Sequence, residues 1–358
     1  MTPGGVLRPP PGARCLRALV VDDSGASRAG LARILGEAEG FVVVGAARDG
    51  EEALRDALRL RPDVIVLDLQ LPRMDGFTFL RLLMDRCPTP VIVVSARAGR
   101  SDVFKALELG ALDFVAKPEA GGVAAIRGAL LEKCAIVRAL RLEDPPPARP
   151  LPPGRVASAA AQATLRVVLL GASTGGPRAI PSLLAAIPGD LPLGIVVAQH
   201  MPARFTAAFA ERIGRRTPFS AQEAAEGDLV APGRVLVAPG GHHLELRRDG
   251  EGALRAAILP RGASRREAGH CPSVDRLFAS GARVLGARAC AVVLTGMGQD
   301  GRSGVIEVKR AGGLALAESA ETAVVYGMPR AAADTGAVDA VLGLPALADA
   351  IVRFAREP

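Results

Sequence analysis

Aromatic residues and lysine are scarce in this chain of 358 residues. It contains no tryptophan, one tyrosine and ten phenylalanines, so it offers few aromatic faces on which single-stranded bases could stack. Arginine carries almost all of the positive charge, because lysine occurs only at Lys105, Lys117, Lys133 and Lys309. No apolar run approaches the length of about 18 residues that a membrane-spanning helix requires. We therefore expect neither base stacking nor membrane insertion.

Paired cysteines and targeting segments are lacking as well. The cysteines are widely spaced and include no Cys-x-x-Cys pair: Cys15, Cys87, Cys134, Cys271 and Cys290. This pattern favours reduced thiols over a disulfide framework or a zinc site. Residues 1–15 are rich in proline and glycine but lack the apolar run of a signal peptide, which predicts a disordered tail. We expect a cytoplasmic protein.

The net charge of +7 is spread along the chain. The excess of basic residues is +2 over residues 1–140, +1 over 141–165 and +4 over 166–358. A nucleic-acid-binding arm would concentrate this charge in one place. We therefore expect no nucleic-acid partner.

Two regions of alternating strand and helix patterns flank a proline-rich segment. Residues 141–165 have no apolar period, which predicts an exposed linker. On both sides short β-branched runs alternate with helical periods, a pattern typical of parallel sheets covered by helices. We predict an α/β protein with two doubly wound parallel-sheet domains, a flavodoxin-like one at residues 16–140 and a Rossmann-like one at 166–355. The predicted strands are 17–21, 41–47, 63–68, 90–96 and 112–117 in the first domain, and 166–173, 193–200, 234–239, 290–296 and 314–319 in the second.

Polar side chains follow the predicted strands of the first domain, where the carboxyl ends of parallel strands share one edge. They are Asp22, Asp23, Asp68, Ser95 and Lys117. A single aspartate at such a position is more often a helix cap. Several carboxylates at one edge repel each other unless a cation compensates them, and Mg²⁺ with Lys117 would do so. Asp68 would then be placed to attack phosphorus.

This region resembles the receiver domain of two-component response regulators. The resemblance covers residues 16–135 and rests on VVDDS (20–24), DLQLPRMDG (68–76), VVSA (93–96) and the Lys117-Pro118 pair. It implies that a histidine kinase phosphorylates Asp68 and that Asp23 and Asp68 hold Mg²⁺, with Asp22 in support. It also implies a switch group of Ser95, Phe114 and Lys117. Because Phe114 has no hydroxyl, a switch that uses a tyrosine hydroxyl is excluded.

A G-x-S-x-G motif, residues 171–175, lies between a strand and a helix of the second domain. The serine of such a turn, Ser173, exposes its hydroxyl at the sheet edge, near the amides of the following helix. Phosphate binding or tight packing would use the same glycines. His200 ends the next predicted strand and Asp300 follows a later one, which supplies a base and an orienting carboxylate. The order Ser, His, Asp differs from that of the α/β-hydrolases.

The other histidines suggest no metal site. His242 and His243 are adjacent, so in a strand they would point to opposite faces. His270 has no second imidazole at ligand spacing, and we interpret it as structural or peripheral to the site. We expect no cofactor in the second domain.

The second domain resembles the catalytic domain of the chemotaxis protein-glutamate methylesterases, and the whole chain looks like a response regulator of that family. The motifs are GASTGGP (171–177), QHMP (199–202), APGGHHLEL (238–246), HCPSVDRLF (270–278), LTGMGQDG (294–301) and VVYGMPRAA (324–332). The resemblance implies that Ser173 is the nucleophile, His200 the general base and then acid, and Asp300 the group that sets the tautomer of His200. It also implies that the backbone around Met297 contributes to the oxyanion site, without locating the amide.

The activity implied by this resemblance is hydrolysis of glutamate γ-methyl esters on chemoreceptors, with release of methanol, together with deamidation of receptor glutamines. An unphosphorylated receiver would pack over the catalytic face, and phosphorylation of Asp68 would relieve the block. The implied partners are chemoreceptors and a histidine kinase, and we expect a monomer.

Three alternatives remain open from the residues alone. The glycine-rich loop could cradle a nucleotide phosphate in a non-catalytic module. A DNA-binding regulator is favoured only by the net charge, and no helix-turn-helix pattern follows the linker. A methylesterase could also serve a receptor-like pathway other than chemotaxis.

Overall fold

The computed structural model describes residues 15–95, 100–117, 122–139, 165–262 and 269–357. The described residues form two compact units, one within residues 1–142 and the other within 143–358. Apart from Cys15 and Leu165, the predicted tail (1–15) and linker (141–165) lie outside the described residues. The domain boundaries given above therefore stay predictions.

The first unit is a five-stranded parallel sheet with helices between its strands. In chain order its elements are β1 Leu16–Val21, α1 Gly25–Gly36, β2 Phe41–Ala47, α2 Gly50–Leu60, β3 Val64–Leu67, α3 Gly76–Arg86, β4 Val91–Ser95, α4 Arg100–Glu108, β5 Asp113–Ala116, a 3-10 turn Val123–Ile126 and α5 Arg127–Ala139. The strand order β2-β1-β3-β4-β5 is flavodoxin-like, as expected. Because helices cover both faces, the inner strands are continuous apolar runs, and every residue of β3 and β4 is buried.

The second unit contains a seven-stranded parallel sheet and a separate hairpin. Its elements are β6 Arg166–Ala172, α6 Gly176–Ala185, β7 Leu193–Gln199, α7 Ala203–Arg216, β8 Ser220–Glu223, β9 Arg234–Val237, β10 His242–Arg248, β11 Leu254–Pro260, α8 Val274–Leu285, a 3-10 turn Gly286–Arg288, β12 Ala289–Val293, α9 Arg302–Arg310, β13 Leu314–Glu318, α10 Met328–Ala333, β14 Ala340–Leu342 and α11 Leu344–Arg356. The sheet order is β14-β13-β12-β6-β7-β9-β8. The prediction of a doubly wound parallel sheet is confirmed.

The antiparallel hairpin of β10 and β11 is an addition that strand patterns did not predict. It packs against α8, where the Ser280 hydroxyl accepts a hydrogen bond from the Leu246 amide at 3.0 Å. His243 of β10 is buried and His242 is exposed, so the two imidazoles point to opposite faces as expected. The hairpin places His243 and the chain that follows β11 beside the start of α8.

Strand order reverses once in each sheet, and the predicted site residues of each unit lie near that point. In the first unit β1 lies between β2 and β3, and in the second β6 lies between β7 and β12. Crevices at such points, beyond the carboxyl ends of the strands, are where open α/β sheets bind ligands. Asp22 and Asp68 follow β1 and β3, whereas Ser173 and Asp300 follow β6 and β12. None of the described helices is long and apolar enough to cross a membrane.

Candidate functional sites

Lys117 joins two carboxylates at the sheet edge of the first unit. Its Nζ donates to Asp22 Oδ2 and to Asp68 Oδ2, each at 2.6 Å, although the three residues lie on three different strand ends. Burial disfavours the charged ammonium, but the hydrogen bonds and charges of the two aspartates outweigh it and raise the pKa of Lys117. The lysine therefore remains a cation over the physiological range and partly offsets the repulsion between the carboxylates.

Asp68 receives donors on both of its oxygens. Ser95 Oγ donates to Asp68 Oδ1 at 3.0 Å, and the Gln70 amide donates to the same oxygen at 3.1 Å. Ser95 ends β4, the strand beside β3, so the hydroxyl reaches the carboxylate across one strand spacing. Phe114, on the neighbouring β5, is buried and pairs in register with Val93. The predicted switch residues Ser95 and Lys117 thus contact Asp68 directly, and Phe114 lies one strand further along.

Three carboxylates of this edge could hold a metal ion. Asp22, Asp23 and Asp68 each offer one oxygen within 4.8 Å of the others. Asp22 is further fixed by Ser27 Oγ, which donates to it at 2.6 Å, whereas Asp23 is exposed. An all-oxygen set with one exposed member suits Mg²⁺, which prefers carboxylates and retains several waters.

The Ser173 turn contacts the segment that follows β12. The Ser173 amide donates to the Thr295 carbonyl at 3.0 Å. A Cβ atom at Gly296 would lie 2.8 Å from the Cβ of Ser173, so only glycine allows the two strand ends to approach this closely. Gly175 has φ +87°, the left-handed conformation that lets the chain turn from β6 into α6. Ser173 is thereby held at a sharp, half-buried turn beside the backbone of Thr295 and Gly296.

His200 and Asp300 form a hydrogen-bonded pair. His200 Nε2 lies 2.8 Å from Asp300 Oδ2, and both side chains are largely buried. Asp300 also accepts from the Val274 amide at 2.8 Å, the Asp275 amide at 2.9 Å and Ser273 Oγ at 3.1 Å. Burial raises the pKa of Asp300, but the hydrogen bond and charge of His200 and the two helix amides lower it overall. Asp300 is therefore an ionised, fully bonded carboxylate that fixes the imidazole.

The sheet brings the predicted trio to one edge, but not all three are hydrogen-bonded. Ser173 follows β6, which pairs with β7 on one side and with β12 on the other, so it lies between His200 and Asp300 along the edge. His200 and Asp300 are in direct contact, whereas the Ser173 hydroxyl has no hydrogen bond to the residues that the structure describes. Contacts of this kind often close only when substrate binds.

Two residues of this site were missed by the sequence interpretation. Gln199 is buried, and its Nε2 donates to the Ser173 carbonyl at 2.8 Å and to the His200 carbonyl at 3.1 Å, which ties the two loops together. His270 stacks on His200 with ring centroids 3.9 Å apart and planes within 4°. Its interpretation as structural or peripheral understated this contact. Gln199 belongs to the QHMP motif and His270 to the HCPSVDRLF motif. Neither the spacing nor the periodicity of the sequence shows that these segments come together.

The stacked imidazoles also bear on metal binding. His200, His270 and Asp300 offer ligand atoms within 4.8 Å of one another. Ring nitrogens bind a metal through lone pairs that lie in the ring plane, and two parallel rings direct these lone pairs side by side rather than toward one point. The arrangement favours acid–base chemistry over metal binding.

Together the two sites define a class of protein: a receiver-type switch domain joined to an α/β domain with the side chains of a serine hydrolase. Comparison with known proteins agrees. The response regulator receiver domain model matches residues 18–125 and the CheB methylesterase model matches residues 168–351. The chain therefore belongs to the CheB methylesterase family and carries a receiver domain, a type of domain whose phosphorylation depends on Mg²⁺.

Relatives extend over almost the whole chain. A protein-glutamate methylesterase/protein-glutamine glutaminase of Anaeromyxobacter dehalogenans is 65% identical over 96% of this chain and 97% of its own length. Another, of Geobacter sulfurreducens, is 44% identical over 95% of this chain and 97% of its own length. The crystal structure of the Thermotoga maritima CheB methylesterase catalytic domain is 35% identical, with a TM-score of 0.50, and covers 53% of this chain and 98% of that structure.

Proposed function

We propose that the chain is a phosphorylation-activated hydrolase that removes methyl groups from glutamate γ-methyl esters of chemoreceptors and deamidates receptor glutamines. The observation that carries the proposal is the His200–Asp300 pair beside the Ser173 turn, at the point where strand order reverses. The names of the relatives that span nearly the whole chain support the same activity. Methyl-accepting chemoreceptors are the proposed substrates and a histidine kinase the proposed phosphodonor.

The proposed chemistry begins with attack of Ser173 Oγ on the γ-carbonyl carbon of the ester. When Nε2 donates its proton to Asp300, the neutral ring carries its acceptor lone pair on Nδ1, so Nδ1 takes the serine proton. The negative oxygen of the tetrahedral intermediate faces the backbone near Met297, which follows Gly296 at its close approach to Ser173. His200 then returns the proton to the leaving methanol.

Deacylation repeats the sequence with water. His200 accepts a proton from water, which attacks the acyl-serine, and Ser173 leaves with that proton to regenerate the enzyme and a glutamate product. For a glutamine substrate the carbonyl geometry is the same and ammonia takes the place of methanol. Asp300 stays ionised throughout and stabilises the imidazolium form of His200.

Regulation is proposed to start at Asp68, whose carboxylate attacks the phosphorus of the kinase phosphohistidine. The P–O bond to Asp68 forms as the P–N bond breaks, and the imidazole stays with the kinase. Mg²⁺ held by Asp22, Asp23 and Asp68 would offset charge on the transferred group. Lys117 and Ser95, which already contact Asp68, would bind the phosphoryl oxygens, and Phe114 would respond as the third member of the switch group. The added charge shifts the population of receiver conformations toward those that leave the catalytic face open.

Two substitutions test the proposal. Ser173→Ala should abolish methanol release from methylated receptor while phosphorylation of Asp68 continues, and full activity would refute the nucleophile assignment. Asp68→Asn should remove stimulation by a phosphodonor. If Asp68→Asn responds to the donor as the unchanged chain does, the account of the switch is wrong.

A further inference from the structure

A polar cavity of about 440 Å³ opens beside the His200–Asp300 pair. Its described lining contains no aliphatic or phenyl side chain and consists of His243, Arg261, Gly269, His270, Ser273, Asp275, Arg276, Gln299, Asp300, Arg302 and Ser303. Asp300 and His270 belong to both the cavity and the catalytic edge. A ligand in this cavity would therefore be polar and would lie next to Asp300 and His270.

The carboxylates of the cavity are already satisfied by protein groups. α8 and α9 exchange caps: Asp300, which precedes α9, accepts from the first amides of α8, and Asp275 of α8 accepts from the Gly304 amide of α9 at 2.7 Å. The exchange uses the amides that a helix N-terminus would otherwise offer to an anion. Helix ends therefore do not account for any ligand here.

The arginines of the cavity differ in their partners. Arg276 is committed to Glu245, with its Nε at 2.9 Å and a terminal nitrogen at 2.8 Å from Oε1. Arg302 and Arg261 are exposed, and neither forms an ion pair with a carboxylate among the residues that the structure describes; Arg261 donates to the Gly269 carbonyl at 3.0 Å. Two guanidinium groups thus line a polar cavity, and neither is paired with a carboxylate within the described ranges, which leave out residues 263–268.

We propose that Arg261 and Arg302 form a carboxylate subsite that recognises an acidic side chain next to the reacting glutamate ester or glutamine of the substrate. The guanidinium fork matches the geometry of a carboxylate, and the cavity is contiguous with the catalytic pair. On a helical substrate, side chains three or four residues apart share a face and lie about 5–6 Å apart, which allows one to enter the subsite while the other reacts. The inference rests on the proposed function and adds to it the recognition of an acidic side chain of the substrate.

Demethylation and deamidation both create a glutamate carboxylate from a neutral side chain. A carboxylate subsite would therefore recognise the product of an earlier turnover at a neighbouring position. Substrate segments that are already partly processed would react faster than fully methylated ones, so that hydrolysis along one helix accelerates as it proceeds.

The test compares substrates and variants together. Helical peptides carry one glutamate γ-methyl ester, with either glutamate or methionine at one neighbouring position, scanned through the positions one, three and four residues away. Methionine is neutral, is similar in length to glutamate and has no group that the enzyme could hydrolyse. Methanol release by the full phosphorylated chain gives kcat/KM for each peptide. For at least one position we expect a preference for glutamate of about tenfold, the range of a charge-assisted hydrogen bond, which weakens as ionic strength rises.

The variants decide whether the two arginines cause this preference. Arg302→Gln and Arg261→Gln should lower kcat/KM for the acidic peptide and leave kcat/KM for the neutral peptide unchanged, so most of the preference is lost. Arg302→Lys should retain part of the preference, because lysine keeps the charge but lacks the guanidinium fork. Arg353→Gln, an exposed arginine in the last turn of α11, is the matched control and should keep the full preference.

Three results would overturn the inference. The unchanged chain could treat the acidic and neutral peptides alike at every position, or the two Arg→Gln variants could keep its preference. Either variant could also lower kcat/KM equally for both peptides, which would indicate that the arginine maintains the structure of the site rather than binds the acidic side chain. Release of methanol in these experiments would still support the proposed function, whereas no release from any peptide would overturn both.

Discussion

Both domains place an aspartate at the point where strand order reverses, but the two carboxylates have different surroundings. Asp68 is held by a lysine, a serine and one backbone amide, next to two further carboxylates. Asp300 is held by an imidazole, a hydroxyl and two amides at the start of a helix. The residue type and the position in the fold are shared, so the partners must set the chemistry.

The partners of Asp68 favour a reaction at the carboxylate. Lys117 is a cation that can interact with an incoming phosphoryl group, and the nearby carboxylates could hold Mg²⁺, which would offset the charge of that group. The partners of Asp300 favour a supporting role, because four donors occupy its oxygens. Burial raises the pKa of Asp300, but the hydrogen bond and charge of His200 and two backbone amides lower it overall. These differences support the proposal that Asp68 forms a bond with phosphorus and that Asp300 keeps its charge and orients a base.

Replacement of Asp300 should have the largest effect. In Asp300→Asn the side chain carries no charge to stabilise imidazolium, and its NH2 group can donate to Nε2 and so favour the wrong tautomer of His200; methanol release should therefore fall about 10³- to 10⁴-fold. Phosphate uptake at Asp68, measured with a small-molecule phosphodonor, should be unchanged. Activity close to that of the unchanged chain would show that the two aspartates do not differ in the way described.

Removal of the lysine bridge should act on the receiver alone. Lys117→Gln leaves Asp22 and Asp68 without their shared cation, so phosphate incorporation and stimulation by the donor should both fall at least about tenfold. Lys105→Gln is the control, because Lys105 is exposed on α4 and lies over the Phe77 ring. Equal effects of the two substitutions would contradict a specific role for Lys117.

The strands of both sheets, and most of the site residues at their ends, could be predicted from strand patterns in the sequence. All ten predicted strands are present within a few residues of their expected bounds, because buried parallel strands are continuous apolar runs that stand out in a sequence. Asp22, Asp68, Ser173, His200 and Asp300 follow those strands, and a common edge follows from parallel order alone. The sequence therefore predicts which side chains share an edge.

Contacts that depend on polar or very short elements could not be predicted in this way. β8, with the sequence SAQE, is a mostly exposed edge strand without an apolar run, and β14 has three residues. The stack of His270 on His200 joins segments 70 positions apart through the hairpin and the start of α8. No local period encodes such a meeting, and so the cavity beside it was not foreseen.

Loss of the Gln199 amide should have a smaller effect than loss of Asp300. Gln199→Met keeps the approximate volume but removes the donors to the Ser173 and His200 carbonyls, so we expect kcat to fall about tenfold with little change in KM. Gln222→Met on exposed β8 is the matched control. A change in KM alone would indicate that Gln199 contacts substrate rather than positions the two loops.

A pH titration should give the smallest effect and should affect the catalytic unit. The pKa of Asp300 lies below its ordinary value of 3.8, so its stabilising contribution is complete above that value and is lost as the pH falls through the lower folded-state value. Tyr326 is the one tyrosine of a chain without tryptophan, so its fluorescence monitors unfolding of the catalytic unit. Below about pH 5, which is under the range where an imidazole ordinarily titrates, the gap in stability between the unchanged chain and Asp300→Asn should shrink as the pH falls. A gap that widens over this acidic range would mean that the pKa of Asp300 is raised in the folded protein, and its assignment as a permanent anion beside His200 would fail.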